Sequence, residues 1–170
     1  DVHVQLYPDD DVSEVFATYW RLNGSDPTTY TVGSTIDITV EGKHTFQYWS
    51  VDSRGNTESP KTVDIWLDKT APVTTDDVQA SYVGTTTVTL TPSDNLSGVT
   101  STAWRLDSGA WNSGTQVTVG IGLHTLDYRS TDAANNQENV RQRIVQVLAP
   151  DNEPPVTSSN ITDNFVPSPF

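Results

Sequence analysis

Cysteine is absent from the 170-residue sequence, which excludes disulfide staples and thiolate chemistry and leaves the redox compartment unread. Lysine is scarce too: Lys and Arg together number 9, against 22 Asp and Glu. The resulting net charge of -13 argues against a nucleic-acid partner, whose phosphates need cationic neutralisation. It suits calcium, a saline habitat or simply a soluble surface. No apolar run approaches the length of a membrane span, so direct membrane insertion is not expected. No signal peptide opens the sequence, and because the reading starts inside a repeat this says nothing about secretion. Neither a Gly-x-Ser-x-Gly nucleophile motif, a metalloprotease helix nor a phosphate-binding glycine loop occurs, which argues against an enzyme. What remains, at 34% hydrophobic and 18% charged, is the composition of a globular chain rich in Thr and Val.

The strongest positive signal is internal repetition. Residues 42–58 read GKHTFQYWSVDSRGNTE, and residues 122–138 read GLHTLDYRSTDAANNQE. The match extends to residues 4–15 with 88–99, WRLN at 20–23 with WRLD at 104–107, and DKTAPVTT at 68–75 with DNEPPVTS at 151–158. Even Val78, Tyr82 and Val83 find counterparts in Ile161, Phe165 and Val166. Length changes fall between matched blocks, as expected of loops. The chain thus reads as two units of about eighty residues.

Both units are built from short alternating segments. Residues 85–93, 99–106, 115–119, 123–131 and 140–148 are β-branched or aromatic with a period of two, separated by Gly, Asn, Asp and Pro. With the segment after Pro72 as first strand, each unit has six or seven strands, most economically packed as two antiparallel sheets. A Trp in the third strand and a Tyr in the sixth suit an immunoglobulin-like core. The expected fold is all-β, two tandem immunoglobulin-like sandwiches.

The combined pattern APVTT, VTLTPSDNLSGVTSTAWRLD and GLHTLDYRSTDAANNQE closely resembles a bacterial Ig-like repeat, and the resemblance covers both units. Unit one departs from it where DDDVSEV replaces DNLSGV. The resemblance implies tandem repeats of bacterial or archaeal surface and secreted proteins: an extracellular spacer, adhesive or binding module, not a catalyst. The expected divisions are residues 1–69, 70–150, and a segment 151–170 that reads as linker and first strand of a following repeat.

Candidate sites follow. His44 and His124 share the inward face of the sixth strand, with no acid expected nearby, and read as hydrogen-bonded core residues. Trp20 and Trp104 read as inward-facing core. Asp68, Asp94, Asn95, Asp132, Asn136 and Glu138 bring hard oxygens to the junction between the units, where calcium is the candidate ligand and turn hydrogen bonding the default. No other cofactor is implied. Asn23, Asn95 and Asn160 open formal glycosylation triplets.

On the outward parity, Tyr19, Arg21, Trp49 and Trp66 are expected on neighbouring strands. The counterparts of the three aromatics in unit two are Ala103, Arg129 and Gln146, so Tyr19, Trp49 and Trp66 are expected to form an aromatic band on unit one only. Such a band suits surface glycans or a neighbouring repeat or subunit. Finally, unit one starts near its second strand, and residues 151–170 form a first strand with no sandwich after them. Either the sequence is an excerpt of a longer array, or the tail of one molecule completes unit one of the next.

Overall fold

The computed structural model describes residues 1–158, and every regular element among them is a strand. In unit one, β1 (Val2–Val4) pairs antiparallel with β4 (Ile36–Ile38). Facing them, β3 (Thr28–Tyr30), β2 (Val15–Leu22), β5 (Gly42–Asp52) and β6 (Lys61–Leu67) form a four-stranded sheet in that order. Alternation decides which side chains meet: Phe46, Ile36, Ile38, Tyr30 and Leu6 form the core, with Trp20 and Tyr48 packed against it.

Unit two repeats this plan with additions. β9 (Thr86–Ser93) is flanked by β12 (Gln116–Val119) and β7 (Val73–Asp76). The opposite sheet runs β11 (Asn112–Ser113), β10 (Val99–Leu106), β13 (Gly122–Asp132), β14 (Arg141–Leu148) and β8 (Tyr82–Val83). Its core is Val88, Leu90, Val117, Val119, Leu126, Tyr128, Val145 and Val147. Val78, Tyr82, Trp104 and Leu106 pack around it. Both units are immunoglobulin-like β-sandwiches, as the alternation and the paired Trp and Tyr predict.

Two features differ from the sequence reading. β8 pairs parallel with β14, so the sheets are not wholly antiparallel. β8 and β11 are two-residue strands, too short to show a period. The loop joining β5 to β6 and its twin between β13 and β14 are turned by Gly55 (φ 89) and Asn135 (φ 67), the left-handed positions anticipated from residue type. Residues 151–158 lie exposed outside any strand, and Ile161, Phe165 and Asn160 fall outside the described residues.

Candidate functional site

At the junction, the connecting segment is held from both sides. Thr70 donates its hydroxyl to Glu41 Oε2 at 2.8 Å, and Lys69 Nζ donates to the Thr39 carbonyl at 2.7 Å, anchoring the segment to unit one. Asp68 anchors it to unit two: Oδ2 accepts Ser97 N–H at 2.9 Å, and its carbonyl accepts Asn136 Nδ2 at 3.2 Å. Hydrogen bonding, to Ser97 above all and then to the Thr70 amide, holds the Asp68 carboxyl below its ordinary pKa.

Asp68, Asp94 and Asp132 place carboxylate oxygens within 4.8 Å of one another. Each is shaped by its own turn. Asp94 Oδ1 accepts the amides of Leu96 (3.1 Å) and Gly98 (2.7 Å), and Asp132 Oδ1 accepts that of Asn136 (2.8 Å). Asn136 presents its amide nitrogen to Asp132 Oδ2 at 2.8 Å, so it is a donor to the cluster. Asn95 is exposed, and Glu138 is committed elsewhere. Of the six residues expected from sequence, three bring carboxylates together, the oxygen type calcium takes. Hydrogen bonds already engage five of their six oxygens. Asp94 Oδ2 is the exception, buried without a partner among the described residues.

Unit one shows the same turn in isolation. Asp52 receives Asn56 Nδ2 (2.7 Å), the amides of Asn56 (2.8 Å) and Arg54 (2.9 Å), and the Ser13 hydroxyl (3.0 Å). These donors, led by the Asn56 side chain, lower its pKa to about 2.

Glu138 performs the task that residue type alone did not suggest. It accepts Ser130 N–H at 2.8 Å and Thr74 N–H at 3.1 Å, and the Thr74 hydroxyl donates to it as well. Thr74 also meets the Ser130 hydroxyl at 2.7 Å. Glu138 thus clamps β7 to the opposite sheet. The visible signal was the recurrence of Glu at 58 and 138; its partner, Thr74, lies 64 residues away and carries no local cue.

The histidines are bonded as expected, but differently. His44 Nε2 donates to the Val40 carbonyl (2.8 Å), and its Nδ1 accepts from Asn23 Nδ2 (3.0 Å). The Asn23 amide is thereby engaged in the fold, which works against its use as a glycan acceptor. In unit two an acid does stand beside the ring: His124 Nδ1 meets Asp107 Oδ2 at 2.7 Å. That contact, first among its causes, lowers the Asp107 pKa.

The outward aromatics do not form one band. Tyr19 stacks on Trp49 across β2 and β5, with ring centroids 5.9 Å apart, and the Arg21 guanidinium lies 5.7 Å from the Trp49 ring. Trp66 pairs instead with Lys43, whose ammonium sits 3.9 Å from its ring. Lys43 and Trp49 are six residues apart on β5, roughly 20 Å along the strand. The parity expectation was sound, but position along the strands separates the groups. Nor is the feature confined to unit one: Trp111, unremarked in sequence, packs on Arg105 (4.8 Å) and Arg129 (4.6 Å) of the equivalent face.

Comparison with protein-family models finds no match, and comparison with curated proteins finds none either. Among solved structures, the chain is similar to Clostridium thermocellum CbhA fibronectin(III)-like modules, with 12% sequence identity and a TM-score of 0.42 over 89% of this chain and 88% of that one.

Proposed function

We propose that the chain is a non-catalytic extracellular Ig-like module of a cell-surface or secreted protein, acting as spacer and contact surface. The observation that carries the spacer role is the junction. Residues 68–70 are hydrogen-bonded to Glu41 and Thr39 on one side and to Ser97 and Asn136 on the other. A linker tied to both neighbours transmits orientation, where a free one would not. The extracellular setting rests on the resemblance of the repeat. The Tyr19–Trp49 stack offers a planar surface to a glycan or a neighbouring subunit, and Trp66 forms a separate spot.

A cysteine pair introduced at exposed Thr29 and Ser113 allows spin labels to report the distance between the units. We expect a narrow distribution that broadens when Asp68→Ala and Asn136→Ala are added. An equally broad distribution in the parent chain defeats the spacer role. Repeating the measurement with calcium and then chelator asks whether a cation uses the same carboxylates.

A further inference from the structure

The three carboxylates at the junction come from three separate parts of the chain. Asp68 follows β6, Asp94 follows β9, and Asp132 ends β13. Two of them are withdrawn from water, Asp132 at 1% exposure and Asp68 at 9%. A buried carboxylate is ordinarily paired with a cation or fully hydrogen-bonded. Among the described residues, none of the ion pairs includes any of these three. Nor do any other three acids or histidines converge in this way among those residues.

Turn hydrogen bonds satisfy the carboxylates in part, and two buried oxygens are left over. Asp94 Oδ2 and the Ser97 hydroxyl are both buried, and neither meets a hydrogen-bond partner among the described residues. Ser97 is placed at the cluster by its own amide, which donates to Asp68 Oδ2 at 2.9 Å. Its hydroxyl lies near enough to the Asp68 carboxyl to lower its pKa, yet outside bonding geometry. Buried polar groups in this state are costly unless something else satisfies them.

Unit one shows the same turn closing by itself. Asp10, Ser13 and Asp52 occupy the places of Asp94, Ser97 and Asp132. There the Ser13 amide donates to Asp10 Oδ1 at 2.6 Å, and the Ser13 hydroxyl donates to Asp52 Oδ2 at 3.0 Å. Asp10 is exposed, so water serves its remaining oxygen. In unit two the serine amide turns to Asp68 instead, and the hydroxyl and Asp94 Oδ2 lose these solutions.

We infer that Asp68, Asp94 and Asp132 bind one calcium ion, with the Ser97 hydroxyl as a further oxygen beside it. Calcium takes six to eight oxygens at about 2.3–2.6 Å, so oxygens on opposite sides of the ion lie about 4.6–5.2 Å apart. Carboxylates within 4.8 Å of one another span such an ion without rearrangement. The amides bonded to them need not leave, because a carboxylate oxygen has lone pairs for a donor and a cation together. Water completes the coordination. Magnesium requires shorter bonds in a near-ideal octahedron and sheds its own waters reluctantly, so it suits the cluster less well. Binding at this site does not depend on the spacer role.

The test is calorimetric titration of the chelator-treated full chain with calcium chloride, and separately with magnesium chloride. One calcium ion per chain is expected, with a dissociation constant on the order of 10⁻⁴ M and magnesium at least about tenfold weaker. Calcium should also raise the melting temperature, and chelator should reverse the shift. Asp94→Asn keeps an oxygen for the amides of Leu96 and Gly98 but removes the charge; it should weaken calcium at least about tenfold. Ser97→Ala spares every carboxylate and should weaken it at least about threefold, which decides the matter where Asp94→Asn does not fold. Asp10→Asn, the same exchange in unit one, should leave binding unchanged. Neither heat nor a melting shift at millimolar calcium overturns the proposal and leaves the two oxygens to water. Binding untouched by both Asp94→Asn and Ser97→Ala overturns it as well. So does binding that Asp10→Asn weakens equally, since a diffuse acidic surface then explains it. Magnesium binding as tightly as calcium removes calcium as the ligand.

Discussion

Tyr128 is 1% exposed and Leu90 2%, whereas their counterparts in unit one, Tyr48 and Leu6, are half-buried and 8% exposed. Val145 and Ser130 are buried, and Ile65 and Ser50 only partly so. Every difference points the same way, and all of these residues line the side that β7 and β8 cover in unit two. The two cores are otherwise built from the same alternating positions. Tightness in this fold is therefore conferred by the covering strand and the buried carboxylate that holds it, rather than by the apolar residues alone. A buried carboxylate is costly unless its lone pairs are used, and Glu138 uses them on three amide or hydroxyl donors.

The sharpest way to break the comparison is to remove that carboxylate. Glu138→Ala leaves the amides of Ser130 and Thr74 without their acceptor, at about 1–3 kcal/mol for each group left unsatisfied, while the Thr74 hydroxyl keeps the Ser130 hydroxyl. We expect unit two to lose about 3 kcal/mol and Glu58→Ala to cost unit one less than half of that, since Glu58 accepts one part-buried amide. Urea denaturation followed by amide exchange separates the units. Equal losses would mean that the β7 clamp is not what tightens unit two.

A second contrast is set by pH. Burial, followed by the hydrogen bond to Asp76, raises the Tyr128 pKa from 10.0 to about 12. The folded state holds the phenolic proton more tightly than the unfolded state, so this stability is fully present below pH 10. It is lost as pH rises from about 10 to about 12, on the order of 2 kcal/mol in total. Tyr128→Phe should abolish this alkaline dependence of unit two at some cost in stability at neutral pH. Alkaline unfolding monitored by near-ultraviolet circular dichroism checks it; an unchanged midpoint profile in the variant would remove Tyr128 as the cause.

Much of the architecture was legible because alternation and turn residues act locally. The five long segments of unit two fall within two residues of the observed strands, and Trp20, Trp104 and the histidines face the side their parity required. The meeting of Asp68, Asp94 and Asp132 was legible too, because the sandwich brings those loops to one end. Glu138 was misplaced among metal ligands because its function depends on β7, which no periodicity ties to it. Trp66 was misplaced for another reason: parity assigns a face, while register assigns a position along it. Register became available only with the pairing of Lys43 to Trp66 and Tyr19 to Trp49.

The smallest effect sharpens that last point. Unit two carries Arg129 and Gln146 where unit one has Trp49 and Trp66, so the other unit already tolerates the exchange. Trp49→Arg forfeits the stack on Tyr19 and the Arg21 contact, worth about 0.2–1 kcal/mol for a cross-strand pair. Trp66, 56% exposed, loses chiefly its Lys43 partner, so Trp66→Gln should cost no more than about 1 kcal/mol. With the two sites roughly 20 Å apart, their costs should add to within about 0.5 kcal/mol. A urea double-mutant cycle measures this directly. Coupling well beyond that margin would join Trp66 to the Tyr19–Trp49 stack energetically and restore a single aromatic surface. Additivity leaves two separate contacts, of which only the stack can present a continuous planar face to a sugar ring or a neighbouring subunit.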